Sequence, residues 1–335
     1  MPRAAIIGTG FYVPDTVVTN EDLTRLMDTS DAWITERSGI KERRWVDIGP
    51  DNLAVENGSD MAVKASLRAI ENAGIDRRDI DLVLYATLNP DVTFPGNGVF
   101  IEDKLELRTA GAMDIRNQCT GFIYGLAAAD GFIRAGTART ILLIGAELHS
   151  TALDKTTRGR DIAVLFGDGA GAAILRPSND PERGIISAKL GADGARAEAV
   201  WIPGGGSKHP SSHQTVDERA HYMKMNGRAI YKFAVTMMHQ LVAETIEEQG
   251  ISIDDIAYLI PHQSNLRIIE SAAERLGMPM DRVAVNIDRY GNTSAASIAM
   301  ALHEAVHTER IKRGDLVMLV AFGAGLTWGC VLMRI

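Results

Sequence analysis

Apolar and polar positions alternate along this chain with two different rhythms. Unbroken apolar runs at residues 4–7, 82–86, 140–144, 171–175, 258–260 and 316–320 predict buried strands. Stretches with apolar residues three or four positions apart, at 62–73, 121–135, 229–249, 266–276 and 295–308, predict amphipathic helices. Strands alternating with helices predict a layered α/β fold. No charge falls between Leu316 and Met333, a span long enough for a membrane helix. Gly323, Gly325 and Gly329 divide it, so the pattern predicts two buried strands joined by a glycine turn.

The pattern repeats. Ala69-Ile-Glu-Asn-Ala-Gly-Ile-Asp-Arg-Arg-Asp-Ile-Asp-Leu-Val and Thr245-Ile-Glu-Glu-Gln-Gly-Ile-Ser-Ile-Asp-Asp-Ile-Ala-Tyr-Leu share a helix end, a glycine stop, an aspartate-rich turn and a strand. Gly74 and Gly250 stand 176 positions apart. A second pair, Gly136 and Gly314, stands 178 apart and also precedes apolar strands. Two nearly equal offsets predict two copies of one α/β unit, residues 1–176 and 177–335, with a site at their junction. The boundary is expected in the Pro, Ser, Asn and Asp cluster at 177–183. The Gly-, Ser- and His-rich stretch 204–220 reads as an inserted loop.

Composition narrows the function. The net charge of −8 leaves no global electrostatic case for nucleic-acid binding. The densest local basic segment, Lys41, Arg43 and Arg44 shortly after Arg37, reads either as a patch or as a solvated loop. Two cysteines, Cys119 and Cys330, give no disulfide framework and fit a reducing compartment. The apolar run after Met1-Pro2-Arg3 is too short for a signal-peptide core.

Three residues carry candidate chemistry. Cys119, in Arg116-Asn-Gln-Cys-Thr-Gly-Phe122, stands where a helix begins. There the dipole favours a thiolate, and free N–H groups are able to hold an oxyanion. His262, in Ile260-Pro-His-Gln-Ser-Asn265, follows a strand at its C-terminal end, the usual place for α/β sites. Asn292, in Tyr290-Gly-Asn-Thr-Ser-Ala-Ala-Ser297, precedes another helix and reads on its own as an N-cap. The repeat sets the starts of the Cys119 and Asn292 helices near one another. Glycine motifs at Gly8-Thr-Gly10 and Gly167-Asp-Gly-Ala-Gly171 lack the spacing of a nucleotide fingerprint. His209, His213 and His221 are the only metal suspects, with no ligand spacing.

These motifs, with Phe322-Gly-Ala-Gly-Leu-Thr-Trp-Gly329 and Asp28-Thr-Ser-Asp-Ala-Trp-Ile-Thr-Glu-Arg-Ser-Gly-Ile-Lys-Glu-Arg-Arg44, resemble the β-ketoacyl-acyl-carrier-protein synthase III family of the thiolase superfamily. The resemblance implies a five-layered αβαβα fold built from two duplicated halves, a cytoplasmic homodimer, and a Cys119-His262-Asn292 triad. It implies an oxyanion hole from Cys119 and Ala324, coenzyme A contacts at Trp33, Arg37 and Arg158 or Arg160, and carrier-protein or phosphopantetheine docking at Lys232 and Arg267. The acyl pocket would involve Phe322 and Phe94, the latter reaching into the partner subunit. Asn117-Gln118 stands where small residues are common before the cysteine, and Ala324 where glycine is frequent.

The implied activity is a decarboxylating Claisen condensation through an acyl-cysteine. An acyl-coenzyme A primer and malonyl-acyl carrier protein would be the substrates, with no metal or other cofactor, no nucleic acid and no membrane involved. Alternatives are a related condensing enzyme of specialised metabolism or of long-chain head-to-head joining, a Cys-His-Asn hydrolase, and a non-catalytic partner subunit.

Overall fold

Two glycines in the left-handed conformation mark the repeat in three dimensions. The computed structural model describes residues 2–51, 53–180 and 182–335. In it the helices Gly58–Ala73 and Gly227–Gln249 end at Gly74 (φ 63°) and Gly250 (φ 62°). Each cap N–H turns back to two carbonyls, Glu71 and Ile70 in one case, Glu247 and Ile246 in the other. Glycine alone adopts this conformation without a Cβ penalty. The second glycine pair is less alike. Gly136 caps Gly121–Ala135 directly, whereas Ala296–His307 ends at Thr308 and Gly314 lies in the turn into the next strand.

The first half forms a five-stranded sheet in the order Arg3–Tyr12, Gly169–Ser178, Ile141–Glu147, Leu82–Ala86, Gly111–Ile115. The second forms a four-stranded sheet in the order Gly184–Ala192, Thr327–Arg334, Leu316–Gly323, Tyr258–Pro261. Strand for strand the orders and directions correspond. The position matching Gly111–Ile115 is held in the second half by a single parallel bridge from Val283 to Leu259. Ser178 ends the last strand of the first sheet and Gly184 begins the second; Pro181, inside the expected boundary stretch, lies outside the described residues.

The five layers follow from side-chain alternation. Along Leu316–Gly323, Val317, Leu319 and Ala321 face the central layer, with Phe122, Leu126, Ile298 and Leu302 from the two inner helices. The alternate residues Met318, Val320 and Phe322 face the outer helices Gly227–Gln249 and Leu266–Leu276. Along Ile141–Glu147, Leu143 faces inward while Leu142, Ile144 and Ala146 meet the outer helix Gly58–Ala73. Strands covered on both faces need apolar residues at every position, which is why they appear as unbroken runs. The uncharged 316–333 stretch is the hairpin Leu316–Gly323 and Thr327–Arg334. No helix of the described residues is long and apolar enough to cross a membrane.

One sequence reading changes, and another gains its physical reason. Arg43 is neither part of a surface patch nor a solvated loop residue; it is fully buried. Its guanidinium donates to the carbonyls of Val18 and Val164 and to Asn20 Oδ1, stitching three segments together. Burial lowers its pKa to about 10. The Gly8 and Gly10 pair serves packing. A Cβ at Gly10 would come within 1.9 Å of the Ala65 carbonyl, so these glycines let strand and helix backbones touch.

Candidate active site

Cys119 sits in a tight 3-10 turn, Gln118–Thr120, that runs straight into the helix Gly121–Ala135. Gln118 before it has φ 43°, a left-handed conformation held by its surroundings. The second half carries a similar device: Ser294, ahead of Ala296–His307, has φ 48°. The two turns meet, with Cys119 Sγ 3.4 Å from Ser294 Oγ. The helix starts that the repeat set near one another are therefore in contact.

His262 follows the strand Tyr258–Pro261 and is 1% exposed. Its backbone N–H donates to the Val320 carbonyl at 2.8 Å, and its ring meets the Phe322 ring edge-on at 5.7 Å. Asn292 is oriented by its own neighbour: the Ser294 N–H donates to Asn292 Oδ1 at 2.8 Å. The amide NH₂ is left for the cavity that Asn292 lines. Asn292 is therefore not the N-cap that its place in the sequence suggests, since Ala295 holds that position with no side-chain bond.

The 323–327 turn closes against the cysteine. A Cβ at Gly323 would lie 2.8 Å from Cys119 Cβ, so only glycine permits this approach. Thr327 Oγ1 lies 2.8 Å from Thr120 Oγ1 and donates to the Ala324 carbonyl at 3.0 Å, tying the turn to the nucleophile loop.

Electrostatics correct one expectation. Burial pushes the Cys119 thiol up to about 11. The Ser294 hydroxyl and the N–H groups of Cys119 and Ala324 pull it down, while Glu147 adds to the rise. Desolvation outweighs the helix start, so at neutral pH the resting group is a thiol and not the expected thiolate. The N–H groups of Cys119 and Ala324 lie close enough to this sulfur to lower its pKa. Glu147 is itself buried and raised to about 8 by desolvation; its carboxyl accepts from the Leu88 N–H and the Thr87 hydroxyl. Burial lowers His262 to about 3, so its imidazole is neutral.

All three residues line one cavity of about 1020 Å³. Phe322, Ala324, Trp33, Arg37 and Arg158 line it as well. Trp33 lies on the helix Asp31–Ser38, whose cap Ser30 accepts the Trp33 N–H. The Arg37 guanidinium stands 4.5 Å from the Trp33 ring centroid. Arg160 stands 5.3 Å from it and donates to the Asp28 carbonyl, outside the cavity lining. Lys232, Arg267 and Phe94 lie outside the lining too, and Phe94 is 88% exposed.

Sequence reasoning passed over Leu88, Trp201, Tyr222, Met223 and Ile230, which also line the cavity. The 204–220 loop is anchored by an ion pair, Arg219 to Asp154 at 2.5 Å, and leads into Tyr222 and Met223. His221 Nε2 pairs with Thr215 Oγ1, and no three His, Cys, Asp or Glu among the described residues form a metal-holding group.

Comparison with known proteins agrees with this geometry. Residues 113–194 match the family model for 3-oxoacyl-[acyl-carrier-protein (ACP)] synthase III, and residues 246–335 match the model for its C-terminal part. The beta-ketoacyl-[acyl-carrier-protein] synthase III of Caldanaerobacter subterraneus subsp. tengcongensis is 45% identical over 331 residues, 99% of this chain and 97% of its own. The crystal structure of the Aquifex aeolicus 3-oxoacyl-[acyl-carrier-protein] synthase III superposes with a TM-score of 0.89 at 41% identity, covering 99% of this chain and all of that one. The Thermus thermophilus enzyme superposes with a TM-score of 0.89 at 42% identity, covering 99% of each chain. With two matching family models, full-length relatives and a thiolase-like architecture, this chain belongs to the β-ketoacyl-[acyl-carrier-protein] synthase III family of condensing acyltransferases.

Proposed function

We propose that this enzyme starts fatty-acid chains by condensing an acyl-coenzyme A primer with malonyl-acyl carrier protein. The observation that carries the reading is the single cavity onto which Cys119, His262, Asn292 and Ala324 converge. The Cys119 thiol loses its proton as it attacks the acyl thioester, and coenzyme A leaves as the free thiol. The N–H groups of Cys119 and Ala324 hold the tetrahedral oxyanion. Malonyl-acyl carrier protein then binds and loses CO₂, leaving an enolate on its thioester. His262 and Asn292 donate hydrogen bonds to that oxygen. The enolate carbon attacks the acyl-cysteine, the Cys119 sulfur leaves, and 3-oxoacyl-acyl carrier protein departs. Decarboxylation supplies the carbanion, so the mechanism calls on no metal or other cofactor.

A raised thiol pKa fits this sequence of steps. A thiol that is neutral at rest resists oxidation, and it ionises within hydrogen-bond reach of Ser294 only as attack proceeds. Trp33, Arg37 and Arg158 at the cavity suit the adenine and phosphates of coenzyme A, with Arg160 beside the same ring. Lys232 and Arg267 would dock the acidic carrier protein from outside. The strand Gly111–Ile115 leaves one edge unpaired, with Met113 40% exposed, and Phe94 protrudes. Both support a homodimer in which sheets join edge to edge and Phe94 enters the partner's acyl pocket.

Mass spectrometry of the protein after incubation with acyl-coenzyme A tests the reading. The wild type gains one acyl group at Cys119, and Cys119→Ala gains none. An acyl group still attached to the Cys119→Ala protein would overturn the assignment.

A further inference from the structure

A neutral imidazole helps an enolate only if the nitrogen facing it carries the proton. Two buried residues decide this here. His262 Nδ1 lies 2.6 Å from Ser297 Oγ, and both side chains are 1% exposed. The Gln263 N–H donates to the same Ser297 oxygen at 3.5 Å. The Ser297 hydroxyl has one proton, and among the described residues Nδ1 is the acceptor within its reach. If Nδ1 carried the proton instead, the serine proton would be buried without an acceptor, an arrangement that costs about 1–3 kcal/mol. His262 Nε2 makes no hydrogen bond to a described residue, and His262 lines the cavity.

We propose that Ser297 is a positioning residue: its hydroxyl donates to His262 Nδ1 and locks the imidazole in the tautomer that presents Nε2–H to the cavity. This rests on the reading of His262 as the enolate donor, and it adds a residue from the helix Ala296–His307 that is 35 positions away in sequence. Asn292, Ser294 and Ser297 then form one unit, orienting the amide, touching the sulfur and setting the proton of the imidazole.

The test is ¹⁵N NMR of the full-length protein with labelled histidine, the His262 signals being identified by their loss in His262→Gln. The wild type should show the Nε2–H tautomer from pH 5 to pH 9, and Ser297→Ala a mixture. An Nδ1–H tautomer in the wild type, or an unchanged tautomer in Ser297→Ala, overturns the proposal. Kinetics give a second arm. In Ser297→Ala the ratio of malonyl decarboxylation to Cys119 self-acylation should fall at least about tenfold, the lower end of what orienting partners contribute. Ser297→Thr, which keeps the hydroxyl, should recover most of it. An equal fall of both half-reactions without recovery in Ser297→Thr would mean a packing role and overturn the proposal. If His262→Gln leaves decarboxylation intact, the enolate-donor reading fails while the tautomer result still stands or falls by NMR.

Discussion

The two halves of this enzyme share one fold and divide its labour. At the end of Leu82–Ala86 the first half places Leu88, whose N–H is taken up by the buried Glu147 carboxyl. At the corresponding strand end the second half places His262, whose ring lines the cavity. At the inner-helix starts the first half supplies Cys119 and the second supplies Asn292 and Ser294. Duplication built a symmetric frame in which each copy places two turns at one central junction. Under the proposed mechanism, attack falls to one copy and enolate stabilisation to the other.

That division is most directly broken by removing the second-half donors. His262→Ala and Asn292→Ala should each slow malonyl decarboxylation about 10²- to 10⁴-fold, while acylation of Cys119 from acyl-coenzyme A falls far less. Parallel mass spectrometry and CO₂ release measure both. Equal losses in the two half-reactions would erase the distinction between the halves.

Stability should show a different asymmetry. Arg43→Ala removes a fully buried guanidinium from Val18, Asn20 and Val164, all in the first half. It should lower unfolding free energy by about 2–4 kcal/mol, read from denaturant midpoints, because buried acceptors lose their donor. A loss below about 0.5 kcal/mol would mean that the stitching is dispensable.

The thiol provides a graded test. A pKa raised to about 11 keeps Cys119 protonated at neutral pH, and the thiolate fraction grows about tenfold per pH unit up to that value. Alkylation of Cys119 by iodoacetamide should rise accordingly between pH 7 and pH 10. A plateau near pH 7 would mean that the helix start had won over burial after all.

The smallest effect concerns the first inner helix. Gly131 lies exposed within Gly121–Ala135, and a Cβ added there would meet no other atom within 4 Å. Gly131→Ala should therefore stabilise by about 0.5–1 kcal/mol, measured from the same denaturant midpoints. A destabilisation would reveal a contact made by a second subunit.

Much of the fold was legible because its signals are local. The helices Gly121–Ala135 and Leu266–Leu276 and the strand Leu82–Ala86 have the ends that periodicity and glycine stops predict. The strand Gly111–Ile115 was not legible, since nearly all of it is exposed at a sheet edge and no apolar pattern is required there. The glycine pair at Gly8 and Gly10 was visible, but its purpose was not, because the Ala65 backbone that it admits is over fifty positions away.

The sequence by itself determined the layered repeat, the left-handed glycine caps and the residue types of the chemistry, for these depend on neighbours within a turn or a strand. Tertiary structure alone decided that Arg43 is a buried stitch, that the 200–231 segment walls the cavity, that burial makes Cys119 a thiol, and that Ser297 meets His262. Burial and hydrogen-bond distance are properties of packed surfaces, and no local pattern encodes which distant residue will supply the other surface.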